Sequence, residues 1–268
     1  MKVFYSSSII VVFLISVFMV LIIVTIDAPA QTLKDTFDDP NWEARWEIHD
    51  DGTAGGPSQW FVGPGGGIPD GAFGTANNVL SGAGPSGGDE QPGCYALTLK
   101  NGSENWTDYR LSCDMYHMDN DYAGLFVRYV DELNYFRVWS KQAEVDHGDN
   151  TTFGMDKVVK GKWTLNFKTG GPGVGGDGIT GTPIPAGKNI GQKQWFNMTV
   201  EVVGNTVTMY MEGKKMGSVT DSDLRRGKIA LYNSTNPTAY DNVVVDSMAV
   251  SSAGKLSTSW GNLKAGYE

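Results

Sequence analysis

The sequence predicts an all-β fold, a sandwich of antiparallel sheets. Three observations carry that prediction. Residues 195–219 alternate apolar and polar side chains through two tight turns, the period of strands with one wet face. Residues 116–142 hold two arms rich in aromatic and β-branched residues around a polar turn, the signature of a β-hairpin. The 268 residues include 35 Gly and 8 Trp with only 19% charged, and no helical stretch of normal length follows residue 30. That composition suits strands joined by long loops, and the length fits one such domain better than two.

The chain opens with Lys2, a polar patch and an almost unbroken apolar run from Ile9 to Ile26, then Ala28-Pro29-Ala30. Residues 1–30 therefore read as a secretory signal peptide cleaved before Gln31. An uncleaved membrane anchor is the alternative, since the run approaches the length of a span. Either way, residues 31–250 form the domain, secreted or on the extracellular face of the membrane.

Thr36 and Phe37 are expected to begin an edge strand. Trp42 and Trp46 are spaced for one helical turn or a loop. Residues 60–93 are dominated by Gly, Pro, Ser and Asp and read as one long loop, with a short strand at Asn77 to Leu80. Cys94 and Cys113 flank two expected strands around an Asn-Gly turn. In an oxidising compartment a disulfide joining those strands is the leading expectation, with two buried free thiols as the alternative.

The hairpin at residues 116–142 is the centre of the domain. Closing its turn symmetrically sets Val130 opposite Tyr135. Leu125, Val127, Tyr129, Phe136 and Val138 then share the core face, and Phe126, Arg128, Arg137, Trp139 and Lys141 share the other. Arg128 falls directly opposite Arg137, where like charges repel, so an acidic partner is expected beside them.

The hairpin also carries a resemblance. Asp119-Asn120-Asp121, Tyr122-Ala123-Gly124, the apolar strand behind them and the aromatic strand ending in Trp139-Ser140-Lys141-Gln142 resemble laminin-G-like and thrombospondin C-terminal-like domains of the concanavalin A-like lectin/glucanase superfamily. The likeness extends to residues 195–245, through Gly204-Asn205, Glu212-Gly213-Lys214-Lys215, Gly227 to Tyr232 and Tyr240 to Val245. It implies the jelly roll and a structural calcium in the Asp-rich turn, with Asp119 and Asp121 matching best and Asn120 lowering the ligand charge. Hard cations take such oxygen ligands. First and last strands are neighbours in jelly rolls, so Asp38, or Asp35, is expected near Asp241 as a second cluster.

Residues 170–191 lack a phosphate-binding motif. Glu144, Asp146 and Asp149 superficially resemble the E-x-D-x-x-E signature of jelly-roll glucanases. Glu144 and Asp146 would share a strand face, as that mechanism wants, but Asp149 stands where it needs its acid/base Glu and Gly148 breaks the strand there. Lys162 to Lys168 alternates as a strand, and Gly227 to Tyr232 and Tyr240 to Val250 close the fold. Residues 251–268 form a tail.

A net charge of −9 excludes a nucleic-acid partner, and membrane contact is left to the N-terminal segment alone. Sugar sites pair aromatic plates with a few polar groups. Trp139, Phe126, Tyr135, Arg128 and Arg137 on the hairpin, with Trp60 and Trp106 on loops, are the candidate ligand-binding residues. The expected function is non-catalytic, lectin-like binding of a polysaccharide or glycoprotein glycan, the basic hairpin face favouring an acidic one. A glycoside hydrolase of the jelly-roll or 3-keto-disaccharide type is the alternative, followed by a protein-binding adhesive surface module.

Overall fold

Fifteen strands pair antiparallel throughout in a computed structural model that describes residues 32–39, 41–50, 57–64, 78–83, 93–117, 122–141, 152–169, 194–234 and 237–248. The N-terminal 30 residues, the tail, Asp119 to Asp121 and Glu144 to Asp149 lie outside the described residues. In chain order the strands are β1 (Leu33–Asp35), β2 (Trp46–Asp50), β3 (Gln59–Pro64), β4 (Asn78–Ala83), β5 (Cys94–Thr98), β6 (Tyr109–His117), β7 (Tyr122–Asp131) and β8 (Asn134–Lys141). There follow β9 (Thr152–Val159), β10 (Lys162–Thr169), β11 (Trp195–Val203), β12 (Thr206–Met211), β13 (Lys214–Thr220), β14 (Lys228–Asn233) and β15 (Thr238–Ser247). Among the described residues the helical elements are two short 3₁₀ turns, Trp42–Ala44 and Ser103–Asn105.

One sheet has the order β13-β12-β11-β6-β15-β4-β3, with β1 also paired to β15; the other runs β10-β9-β8-β7-β14-β5-β2. The first and last strands are neighbours as expected, Asp35 lying opposite Val243. The meander of residues 195–219 forms β11, β12 and β13. Its alternate residues Phe196, Met198, Val200, Val202, Val207, Met209 and Met211 face the second sheet and are buried. Facing them from the seven-stranded sheet are Leu125, Val127, Phe136, Val138, Phe153, Met155, Ile229 and Leu231. Each such side chain contributes about 1.5–3 kcal/mol when fully buried, so this layer between the sheets is what holds the sandwich together.

Two expectations are corrected here, and one strand is added. The stretch from 60 to 93 is not one loop, because β3 and β4 pair from Gln59↔Ala83 to Pro64↔Asn78. Thr152–Val159 is a strand, although it follows a polar stretch. Cys94 and Cys113 are free thiols. They sit on β5 and β6, which belong to different sheets, so the expected pairing of their strands does not exist. Each buried sulfur faces backbone carbonyls instead: Cys94 Sγ that of Asn233 and Cys113 Sγ those of Asp114 and Asp241.

Candidate functional site

The face of the seven-stranded sheet that points away from the sandwich is a second, separate cluster. Strand alternation sends Leu125 and Val127 inward and Phe126 outward, Ala96 and Leu231 inward and Tyr95, Ala230 and Tyr232 outward. On β8 the outward residues are Tyr135, Arg137 and Trp139. Register sets Phe126 and Asp156 on either side of Arg137, and Gly124 and Gly154 on either side of Trp139. The rings pack on one another: Phe126 stacks on Tyr135 at 4.5 Å and on Tyr232 at 5.1 Å, Tyr122 meets Trp139 edge-on at 4.7 Å, and His49 lies flat on Tyr95 at 5.0 Å.

Arg137 is the charge at the centre. Its Nε and Nη2 donate to Asp156 Oδ2 at 2.9 and 2.5 Å, and its Nη1 donates to the Tyr232 hydroxyl at 3.0 Å. Its guanidinium lies 4.5 Å from the Trp163 ring centroid. Burial alone would lower its pKa, but facing Tyr232 and Asp156 outweigh that and raise it. The expected acidic partner is thus Asp156. The pair is neutral as a unit, so Arg137 is not the free positive charge that an acidic glycan requires.

Arg128 is elsewhere. The β7–β8 register shifts between Val127 and Asp131, and Arg128 takes a left-handed φ of 51°. This β-bulge turns Tyr129 outward, against the expectation that it faces the core, and takes Arg128 out of line with Arg137. Opposite the bulge, Gly227 has φ 151°, and a Cβ there would lie 2.5 Å from the carbonyl carbon of Arg128. Only glycine fits that approach. The Arg128 side chain is fully buried and donates to backbone carbonyls of Leu224 (2.7 Å), Thr107 (3.5 Å) and Gly204. It clasps three connecting segments and is not a ligand-binding group.

The expected open aromatic plate is also corrected. Trp139 is 2% exposed, Arg137 4%, Tyr135 1% and Phe126 0%, because neighbouring outward rings fill the space above the sheet. Trp60 and Trp106 are buried in the inter-sheet core rather than displayed on loops. What the outer face does hold is unmet polarity. Tyr135 Oη, Trp139 Nε1 and His49 Nε2 are buried and have no hydrogen-bond partner. Burial holds the Tyr135 phenol well above its ordinary pKa, so it is a neutral hydroxyl. Buried polar atoms are nearly always paired, and one left unpaired costs about 1–3 kcal/mol. His49 Nε2 lies 3.5 Å from Glu47 Oε2 without a hydrogen bond. Tyr95, Tyr129, Asp156, Tyr232 and His49 were not among the expected site residues. Strand alternation marks Tyr95 and Tyr232, but nothing local marks the others.

Among the described carboxylates Asp241 is the one pushed up, to about 6, by burial foremost and then by Asp114, Asp38 and Asp35. Among the described residues, however, no group of three or more His, Cys, Asp or Glu is arranged to hold a metal.

This architecture is a concanavalin A-like jelly roll with a ring-lined outer sheet face. A galectin-like protein of unknown function from Bacillus subtilis shares the fold, with TM-score 0.50, 11% identity and coverage of 82% of this chain and 96% of that one. The carbohydrate-binding module CBM66 from Bacillus subtilis is similar at 14% identity, TM-score 0.49, covering 75% of this chain and 95% of that one. A Bacillus licheniformis β-glucanase is similar at 13% identity, TM-score 0.49, covering 82% and 99%. Residues 32–246 match the 3-keto-alpha-glucoside-1,2-lyase-like domain, and the chain belongs to that family. It is a carbohydrate-related jelly-roll domain. No curated protein is detectably similar to it in sequence. The finer likeness to laminin-G and thrombospondin domains finds no support in these similarities.

Proposed function

We propose that the chain is an exported domain that binds an uncharged saccharide at the outer face of the seven-stranded sheet. The observation that carries this is the pair of buried, unpartnered polar atoms on β8, Tyr135 Oη and Trp139 Nε1, on a face walled by aromatic rings; His49 Nε2 is unpartnered at the β2 edge of the same sheet. A sugar supplies what they lack: hydroxyl oxygens for the polar atoms and C–H faces for the rings. Neutralisation of Arg137 by Asp156 favours a ligand without charge. Because the rings are buried, a sugar reaches these atoms only if the side chains above them move. The test is calorimetric titration with maltose and with β-glucan oligosaccharides. Saturable binding without turnover is expected, and it should be lost in the double variant Tyr135→Phe/Trp139→Phe, which keeps both ring systems and removes both polar atoms. Undiminished binding by a folded double variant would refute the proposal.

The family match favours a second reading, catalysis. A 1,2-elimination from a 3-keto-glucoside needs a base to take the C2 proton, which the neighbouring C3 ketone acidifies. The C1–O bond then breaks, the aglycone leaves and a C1=C2 double bond forms. Among the described outer-face residues, His49 offers a ring nitrogen, Nε2, without a hydrogen-bond partner and 3.5 Å from Glu47 Oε2, which makes it the candidate base. The conjugated product absorbs in the ultraviolet. Its release from methyl 3-keto-α-glucoside, abolished in His49→Gln, would establish the lyase. Binding of the glucoside with no such release would establish the non-catalytic module.

Calcium enters the proposal on the ligand chemistry of Asp119, Asn120 and Asp121. A cation that binds only the folded chain raises its melting temperature by mass action. A rise with millimolar calcium is expected, and its absence in Asp119→Ala/Asp121→Ala would assign it to that turn.

A further inference from the structure

Among the described residues, two tryptophans lay their indole over a glycine directly opposite across an antiparallel ladder. Trp60 pairs with Gly82 on β3 and β4, and Trp139 pairs with Gly154 on β8 and β9. In both cases the indole occupies the place of the missing side chain. A Cβ on Gly82 would lie 2.6–2.7 Å from Cζ3, Cδ2 and Cε2 of Trp60, and one on Gly154 would collide with Cζ2, Cε2 and Cη2 of Trp139. The two seats match, but the indole N–H groups meet different fates. Trp60 Nε1 donates to Ser58 Oγ at 3.0 Å, and its ring stacks on Tyr240 within the core. Trp139 Nε1 is equally buried and donates to nothing.

The first seat is complete within the protein. The second fixes a rigid ring and leaves its single donor unsatisfied, at a cost of about 1–3 kcal/mol. An indole nitrogen can only donate, so what completes this seat must bring an acceptor oxygen. Tyr135, two outward positions away on the same strand, has its hydroxyl free as well.

We infer that Gly154 is the positioning residue of the saccharide site: it holds the Trp139 indole flat so that Nε1–H is aimed at an acceptor oxygen of the sugar. This rests on the binding reading above and adds the residue that sets its geometry. Gly154 touches no ligand itself and acts through Trp139, whereas Gly82 serves only the core.

The experiment is ¹⁵N NMR of the indole N–H signals of the full domain, with maltose as the probe and Trp139→Phe to assign the Trp139 signal. In the wild type, maltose should move the Trp139 signal and leave that of Trp60 unmoved. Gly154→Ala should remain folded by circular dichroism, show a displaced Trp139 signal before any sugar is added, and bind maltose at least tenfold more weakly. Gly82→Ala should lower the melting temperature without weakening maltose binding. Wild-type binding that leaves the Trp139 signal in place, or a Gly154→Ala variant that binds as well as wild type, would overturn the inference while leaving saccharide binding intact. No binding of maltose or of any other saccharide tested would overturn both.

Discussion

Along β8, Phe136, Val138 and Ser140 point into the sandwich, while Tyr135, Arg137 and Trp139 point away from it. The inward set meets Met, Val and Leu side chains from the opposite sheet, and its one hydroxyl, Ser140 Oγ, is satisfied by His117 Nε2 at 3.1 Å. The outward set is just as buried but is built from rings and one ion pair, with the polar atoms of Tyr135 and Trp139 unmet. One strand thus carries a face optimised for packing and a face that gives up stability. Burial does not separate the two, but hydrogen-bond satisfaction does. That difference supports the proposed site on the outer face; Ser103 Oγ, Arg128 Nε and Asn233 Oδ1 are unmet elsewhere.

The sharpest way to break this comparison is to remove charge from the outer face. Arg137→Ala leaves Asp156 buried without its partner and should cost about 3–5 kcal/mol in urea unfolding. Replacing the pair together, as Arg137→Met/Asp156→Leu, should recover most of that loss. On the inner face, Phe136→Ala should also cost about 3–5 kcal/mol, here through a cavity. A much smaller loss would mean that the two faces are not so differently packed. Arg128→Met removes the donor from three backbone carbonyls, that of Leu224 buried, and should cost about 2–4 kcal/mol, with no specific effect on saccharide binding.

Asp241 gives a pH-dependent check away from both faces. Its folded-state pKa is raised to about 6 from an ordinary 3.8, so ionising it opposes folding. Between those values the native state binds the extra proton, and stability falls as pH rises through 6. Asp241→Asn should therefore stabilise the protein by roughly 1–3 kcal/mol at pH 8 in the presence of a chelator, and by nothing below pH 4. The smallest effect belongs to Tyr135→Phe. Because the lost hydroxyl has no partner, the variant without ligand should be as stable as wild type, or up to about 1 kcal/mol more stable. A clear destabilisation would show that Tyr135 Oη is satisfied after all and remove it from the site.

Much of the fold was legible in the sequence. The alternation of Met198, Val200, Val202, Val207, Met209 and Met211 fixed β11 and β12 without ambiguity, and the aromatic arms marked β7 and β8. Their register was not legible, because a bulge depends on one residue, Arg128, adopting a left-handed conformation that no propensity favours. Symmetric closure therefore paired the wrong residues, so Tyr129 and Arg128 were assigned to the wrong faces. Thr152–Val159 was missed because both of its faces are partly buried, so the period-2 pattern is blurred. The disulfide expectation failed because sequence proximity suggested that β5 pairs with β6, whereas the chain crosses between sheets after Leu99. At the site, Arg137, Trp139, Phe126 and Tyr135 were legible as one outward row. Their burial and the Asp156 partner were not, since both depend on β9 and on Tyr232, 95 residues further along the chain than Arg137.

The central claim is that the outward face of the seven-stranded sheet is the saccharide-binding face. Hydrogen–deuterium exchange with and without saturating maltose tests it directly. The account predicts added protection in β7, β8, β9 and β14 and unchanged exchange in β11, β12 and β13. Protection confined to the eight-stranded sheet, or none anywhere at saturation, would contradict it.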